Sequence, residues 1–96
     1  MIKPTVGRVV LFNQMTPNVF PGSHETRAAI VAHVHSDRLV NLMVIDANGD
    51  THSRTSITLV QAGDEKPTYA HCEWMPYQQG QAAKTEALEK ELTKKA

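Results

Sequence analysis

The feature that most constrains the fold is a central run of three apolar, β-branched segments separated by two short turns. These segments are AAIVAHVH (28–35), LVNLMVID (39–46) and THSRTSITLV (51–60). Asn48-Gly49 lies between the last two, and an Asn-Gly pair between such segments is the strongest short-range indication of a β-hairpin. The centre of the chain is therefore predicted to be a β-meander, which leaves no room there for a βαβ unit or a phosphate-binding loop.

The flanking segments suggest how the meander is completed. Thr5 to Phe12 has the composition of a strand, and Gly7 within it indicates a bulge or a close backbone approach. Residues 13–27 form a long loop with a turn at Pro21-Gly22, and residues 61–71 are predicted to be a surface loop. Five short strands with a long first loop favour a mainly β fold, either a small SH3-like barrel or a curled antiparallel sheet.

Alternation along the strands predicts which side chains face the core. In the first meander strand, the wholly apolar face comprises Ala28, Ile30, Ala32 and Val34. His33 and His35 then point together away from the core. The second strand is apolar on both faces and is placed centrally, and the core face of the third is expected to begin only near Ile57.

The C-terminal residues form the second predicted unit, so the chain divides into a β domain (1–79) and an amphipathic helix (80–96). The helix carries a narrow apolar stripe of Ala82, Ala83, Ala87, Leu88 and Leu92. It is either a solvated tail or a docking element for a second copy, in which case Leu88 and Leu92 are interface residues.

Composition limits the partners. The chain has 96 residues, with 10 Lys+Arg and 10 Asp+Glu, so its formal net charge is zero. A dedicated binder of duplex nucleic acid normally has a basic surplus, whereas a neutral chain with exposed sheet edges is free to form a homo-oligomer. The single cysteine suits a reducing compartment, and neither a signal peptide nor a membrane-spanning segment is recognisable.

Several segments resemble a group of small proteins encoded by tailed bacteriophages and prophages. They are GRVV (7–10), AAIVAHVHSDRLVNLMVIDANG (28–49), HSRTSITLVQAGD (52–64) and CEWMPYQQGQAAKTE (72–86). The group is mostly of unknown function, so no catalytic or binding residue can be transferred from it. The resemblance implies a phage origin, with the host-cell cytoplasm or the virion as the setting.

Catalytic and metal-binding patterns are missing from the sequence. Cys72 is expected to pack as a small apolar residue, no Gly-x-Ser-x-Gly elbow occurs, and the aspartates fall at turns. The histidines lack the spacing of a structural zinc site. The chain is therefore predicted not to be an enzyme and to need no cofactor or metal.

A group of polar residues suggests an anion site. Arg54-Thr55-Ser56 combines a bidentate donor with two hydroxyls, a set that suits phosphate or carboxylate. The predicted ligand-binding residues are Arg54, Thr55, Ser56, His52, Arg8 and Arg38. Trp74, Tyr77 and Tyr69 offer flat faces on which a base could stack.

Each part of this group also has a purely structural interpretation. Arg54 could be a solvated charge that discourages strand aggregation. The segment Trp74-Met75-Pro76-Tyr77 could plug the end of a barrel or form an oligomer contact.

Two functions follow from these observations. The first is an oligomeric phage protein that sequesters a small anionic, nucleotide-like signalling molecule of the host, by analogy with phage sponges for defence signals. The second is a virion accessory, decoration or assembly protein that acts through protein contacts alone.

Overall fold

Three long strands joined by two tight turns form the centre of the molecule. In the computed structural model, which describes residues 1–81, the strands are β1 (Val9–Asn13), β2 (Arg27–Ser36), β3 (Leu39–Ile45), β4 (Thr51–Val60) and β5 (His71–Glu73). The predicted meander corresponds to β2, β3 and β4. Its second turn depends on Gly49, whose φ of 86° favours glycine, and on the Asp46 side chain, which accepts the backbone N–H groups of Asn48 and Asp50 at 2.8 and 3.0 Å.

The sheet closes into a five-strand barrel. Neighbouring strands are antiparallel except for β4 and β5, which run parallel, and β5 pairs with β1 to complete the circle. The prediction of a mainly β chain built as a small barrel is confirmed, and the form is the closed one. Closure pairs β1 with β5, but β5 covers only Thr58, Leu59 and Val60 of β4, so residues 51–57 of β4 have no strand partner on that side within the described chain.

The predicted core face of β2 was wrong for most of its length. Ala29 and Val31 are fully buried, whereas Ala28 and Ala32 are exposed and Ile30 is partly buried. A β-bulge at residue 32 changes the phase, since Val31 pairs with Leu42 but His33 pairs with Asn41. Val34 therefore does turn toward the core, where it packs against the buried cluster.

The bulge also places two histidines as expected. His33 and His35 are both exposed, and their ring centroids lie 4.7 Å apart in an edge-to-face arrangement. A simple alternation pattern gave the right side for these rings although it gave the wrong side for Ala28 and Ile30.

A second bulge divides β4 into two halves. Leu42 pairs with Arg54 but Val40 pairs with Ile57, so Thr55 and Ser56 together oppose Asn41. Ser56 has a φ of 54°, and its N–H donates to the Asn41 side-chain oxygen at 2.8 Å. Beyond this bulge Ile57, Leu59 and Val60 are buried, which confirms that the apolar core face of the strand begins at Ile57.

The ends of the β4–β5 connection lie inside the protein, in contrast to the predicted surface loop. Gln61 and His71 are both buried. The middle of the connection is exposed or partly buried, as expected of a loop.

The first strand is shorter than predicted. It begins at Val9, because residues 5–8 form a turn in which Gly7 has a φ of 94°. The N–H of Gly7 donates to the carbonyl of Val31 at 2.8 Å, so this glycine marks a close backbone approach.

A short helix, α1 (76–81), follows β5. It begins earlier than the predicted position near Gly80, since Pro76 occupies the first helical position and the Gln78 side chain accepts the Met75 N–H at 2.9 Å. The predicted apolar stripe, including Leu88 and Leu92, lies outside the described residues.

Candidate ligand-binding site

The inner face of the first half of β4 is polar. His52 pairs with Val44 and Arg54 with Leu42, and both partners are buried side chains of the barrel interior. Partners in register share a face of the sheet, so His52 and Arg54 lie on the inward side at one end of the barrel. Polar groups in such a position need cover and hydrogen-bond partners.

The long loop between β1 and β2 provides that cover through Phe20. The Phe20 ring stacks on His52 with centroids 5.0 Å apart, and the Arg54 guanidinium lies 5.5 Å from its centroid. Phe20 is only 7% exposed and belongs to the hydrophobic core. The loop is thus anchored on the barrel by an aromatic side chain that contacts both an imidazole and a guanidinium.

The Pro21-Gly22 turn adds a second anchor. The carbonyl of Pro21 accepts the N–H of Ala47 at 2.9 Å, which joins the loop to the β3–β4 turn. Gly22 has a φ of 80°, and a Cβ atom there would lie 2.5 Å from Arg27 Nη1 and 2.8 Å from the Ala47 side chain. Only glycine fits this approach.

Asp46 holds the imidazole of His52. Its Oδ2 lies 2.7 Å from His52 Nε2, and its side chain is almost completely buried. The hydrogen bond from His52 lowers the pKa of Asp46 most, the backbone N–H groups of Asn48 and Asp50 add to this effect, and burial opposes it. The carboxylate therefore remains ionised and is occupied within the protein.

Arg54 is the cation of this group that lacks a carboxylate partner. Its Nε donates to Gln14 Oε1 at 3.2 Å and its Nη1 donates to the carbonyl of Ser53 at 2.8 Å. No ion pair of Arg54 occurs within residues 1–81, whereas Arg27 Nη1 lies 3.9 Å from Glu25 Oε2. The Nε of Arg27 is buried and has no hydrogen-bond partner there.

A cavity of about 320 Å³ lies within the loop beside this cluster. Its lining residues are Asn13, Gln14, Met15, Thr16, Pro17, Ser23, His24, Glu25 and Thr26. Gln14 lines the cavity and also accepts the hydrogen bond from Arg54, so one side chain connects the guanidinium to the cavity, although Arg54 is not itself a lining residue. We call this cavity, together with Arg54, the loop site.

The cavity wall contains backbone in an unusual conformation. Met15 has a φ of 65°, and Asn18, just beyond the lining, has a φ of 63°. Left-handed backbone at a residue other than glycine is uncommon, and it concentrates at binding and functional sites.

The structure separates the six predicted ligand-binding residues. Only Arg54 and His52 come together, where both contact the Phe20 ring. Thr55 is exposed, and the backbone of Ser56 is engaged with Asn41 in the bulge of β4.

The other two predicted arginines lie elsewhere. Arg38 Nε and Nη2 donate to the two carboxylate oxygens of Asp64 at 2.8 and 3.2 Å, a contact that lowers the pKa of Asp64. Arg38 is beside Leu59, five positions along β4 from Arg54. The Arg8 guanidinium lies 5.9 Å from the Trp74 ring centroid.

The three aromatic side chains considered for stacking differ in exposure. Trp74 is 2% exposed and lies in the core, which agrees with the alternative that it plugs the end of the barrel. Tyr69 and Tyr77 are 62% and 74% exposed. The aromatic ring at the loop site is instead Phe20, which the sequence did not single out.

Sequence reasoning also missed Gln14 and the buried Gln61. The turn role of Asp46 was predicted and is confirmed by the N–H groups that its side chain accepts two and four residues later, whereas its contact with His52 was not predicted. For Phe20, the signal was a large aromatic residue within a loop otherwise rich in turn residues.

The remaining reactive side chains have structural surroundings. No group of three or more potential metal ligands occurs among residues 1–81. Cys72 is fully buried, and burial raises its thiol pKa to about 12, which keeps the sulfur protonated and unreactive at neutral pH.

Comparison with known proteins gave no match: no family model, no curated protein and no solved structure corresponds significantly to this chain. The resemblance to phage proteins and the functions based on it therefore stay predictions. Within residues 1–81, no helix has the length and apolar character needed to span a membrane.

Proposed function

We propose that this protein is a non-enzymatic binder that sequesters a small anionic, nucleotide-like molecule at the loop site. The observation that carries the proposal is Arg54, an arginine without a carboxylate partner in the described chain, whose guanidinium contacts Phe20 and donates to Gln14, a residue that lines the cavity. A guanidinium held in place loses little freedom when it binds an anion, so its charge-assisted hydrogen bonds are used efficiently.

The size and lining of the cavity support a small ligand. A volume of about 320 Å³ lies at the lower end of the range for ligand pockets, about 300–1,000 Å³. Of its hydroxyl and amide side chains, Thr16 makes no hydrogen bond among the described residues and is suited to one with a sugar or a base, whereas Thr26 donates to Asn13 and Ser23 is buried and accepts the Val19 N–H. We place the anionic group of the ligand beside Arg54 and the remainder within the loop.

The biological setting of the proposal comes from the sequence resemblance. A phage protein in the host cytoplasm that removes a nucleotide signal of host defence needs affinity and abundance, and it needs no catalysis. In this proposal the protein acts as a homo-oligomer, which its zero formal charge permits.

Calorimetric titration of the purified chain with 3′,5′-cyclic AMP, AMP and inorganic phosphate tests the proposal. Arg54→Ala should weaken binding by about tenfold to a hundredfold, because a charge-assisted contact contributes about 1.5–3 kcal/mol. Arg54→Lys should restore only part of the affinity, since an ammonium group cannot reproduce the planar fork.

Arg8→Ala is the matched control, because Arg8 is also an arginine beside an aromatic ring and without a carboxylate partner in the described chain. It should bind like the wild type. If the wild type binds none of the three probes, or if Arg54→Ala binds equally well, the loop site is not an anion site.

The second candidate is a virion accessory, decoration or assembly protein without a small ligand. One specific observation favours it: Val9 and Met43 are each 38% exposed on the outer surface of the sheet. Absence of any probe binding in the titration would make this function the leading one.

A further inference from the structure

The two exposed histidines of β2 lie closer together than residues two apart in a regular strand. Such residues are separated by about 6.6 Å along the strand, whereas the ring centroids of His33 and His35 lie 4.7 Å apart. The register of β2 against β3 shifts on both sides of this pair, at residues 31–33 and 34–36. A bulge bends the strand and re-aims the side chains beside it. The fold therefore brings two imidazoles together on the outer surface of the barrel.

Asn41 on β3 orients the ring of His35. Its side-chain oxygen accepts the N–H of Ser56 at 2.8 Å, and the same oxygen lies 3.0 Å from His35 Nε2. A backbone N–H can only donate, so this atom is the amide oxygen and the imidazole donates to it from Nε2. In neutral His35 the lone pair is therefore on Nδ1. A metal-binding histidine commonly donates its other N–H to an oxygen in this way, which fixes the ring and its tautomer.

His33 supplies the second imidazole. It pairs with Asn41 in register, so the three side chains share the outer face of the sheet. The His33 ring is exposed and makes no hydrogen bond within residues 1–81. Rotation about χ2 can therefore turn its nitrogens toward His35 without breaking a contact other than the one between the two rings.

The distance between the rings fits a shared ion. An imidazole nitrogen lies about 1.1–1.2 Å from the ring centroid and binds a divalent transition metal at about 2.0–2.1 Å. Two rings bound to one ion in adjacent positions, at an angle of about 90–109°, have centroids about 4.4–5.4 Å apart. The separation of 4.7 Å lies within this range. Rotation about χ2 hardly moves a centroid, so the backbone need not move.

We propose that His33 and His35 bind one divalent transition-metal ion of the class that prefers imidazole, such as Cu²⁺ or Zn²⁺. His35 supplies Nδ1, His33 supplies a ring nitrogen, and water fills the remaining positions, because no third histidine, cysteine or carboxylate joins the pair among the described residues. A structural zinc site has four protein ligands, so this one is an open, exchangeable surface site that folding does not require. It is separate from the loop site and does not rest on the proposed function.

Calorimetric titration of the full chain with the chlorides of Cu²⁺, Zn²⁺ and Mg²⁺ tests the proposal. Cu²⁺ should bind more tightly than Zn²⁺, and Mg²⁺ should not bind because it prefers oxygen ligands. His33→Gln and His35→Gln should each weaken Cu²⁺ binding at least about tenfold, since loss of an outer-shell partner alone commonly costs about 10–100-fold. Both residues are exposed, so the variants should fold, and circular dichroism checks that they do.

His24→Gln is the matched control. His24 is also exposed, and its Nε2 lies 3.2 Å from Glu25 Oε1, but no second imidazole lies beside it. This variant should bind Cu²⁺ like the wild type. Arg54→Ala should do so as well, because it alters only the loop site.

Nitrogen-15 NMR of the histidine rings with Zn²⁺ identifies the donor atoms. Nδ1 of His35 should take the metal while Nε2 keeps its proton, and a metal bound through Nε2 would overturn the role assigned to Asn41. If the wild type does not bind Cu²⁺, or if His33→Gln and His35→Gln bind it equally well, the pair is an aromatic contact only. Neither result bears on nucleotide binding at the loop site.

Discussion

At the scale of single residues, the side chain of Gln61 joins parts of the chain that are distant in sequence. Its Oε1 accepts the Trp74 Nε1–H at 3.1 Å and the Ile2 N–H at 3.2 Å. Its Nε2 donates to the carbonyls of Ile2 and Asp37 at 2.9 and 2.8 Å. A buried amide that makes four hydrogen bonds positions every segment that it touches.

Gln61→Leu should therefore reduce the free energy of unfolding by about 2–3 kcal/mol. Leucine fills a similar volume but leaves buried donors and acceptors without partners, at about 1–3 kcal/mol each. Urea denaturation measures the change. Gln79→Leu is the control, because the Gln79 side chain makes no hydrogen bond within residues 1–81, and its effect should stay within about 0.5 kcal/mol.

Asp46 predicts a pH dependence of stability. Its pKa in the folded protein lies below the ordinary value of about 3.9, so the folded state binds its proton less readily than the unfolded state. The stability that ionised Asp46 contributes to the folded protein is present above about pH 4 and is lost as the pH falls through its lowered pKa.

Asp46→Asn should flatten this loss of stability at acid pH, measured as unfolding midpoints between about pH 2 and 6. The asparagine retains an oxygen for the N–H groups of Asn48 and Asp50 but no longer offers a carboxylate to His52 Nε2. Asp50→Asn is the comparison, since Asp50 is exposed and has no ion pair among the described residues. If the unfolding midpoint of Asp46→Asn falls as steeply at acid pH as that of the wild type, Asp46 is not the source of the pH dependence.

At the scale of elements, the long loop and the first half of β4 form one unit. The polar inner face of β4 would be unstable in an open barrel, and the loop covers it with Phe20 while Gln14 accepts the hydrogen bond from Arg54. The bulge at Ser56 separates this polar half from the apolar half that begins at Ile57. The loop site and the core thus share one strand.

Phe20→Ala should release the loop while the barrel stays folded. Loss of the buried ring should cost about 3 kcal/mol, and proteolysis within residues 14–26 should accelerate. Val19→Ala changes the exposed neighbouring residue and should leave the cleavage rate unchanged. If Phe20→Ala resists cleavage like the wild type, Phe20 does not anchor the loop.

At the scale of the whole molecule, the barrel is closed by its shortest strand, β5. β5 has three residues, which pair in parallel with β4 and antiparallel with β1, whereas β2 and β4 have ten residues each. Parallel pairing is somewhat less stable per residue than antiparallel pairing. The two contacts of β5 are therefore the weakest seam of the sheet.

Amide hydrogen exchange should follow this order. Protection should be greatest at residues 29–31 and 42–44, in the centre of the antiparallel strands, and lower at residues 71–73. Exchange measured residue by residue by NMR distinguishes the two regions. Amides of β5 that persist as long as those of β3 would show that the barrel opens only by global unfolding.

Features that depend on residues close together in sequence were predictable, and features that depend on contacts between distant strands were not. The turn at Asn48-Gly49 and the three strands around it were predictable, because strand propensity and turn chemistry act between near neighbours. The inward direction of Ala29 and Val31 was not, because the bulge at residue 32 arises from pairing with β3. Of the six predicted ligand-binding residues, Arg54 and His52 lie together, and their separation from Arg8 and Arg38 follows from strand order and register.

The sequence by itself determined that this chain is mainly β and has a central meander. Only the tertiary structure decided that the sheet closes, that Phe20 covers Arg54 and His52, and that Gln61 is buried. These features join residues about 30 to 60 positions apart in sequence, and their stability comes from desolvation and packing that exist only once the barrel has formed.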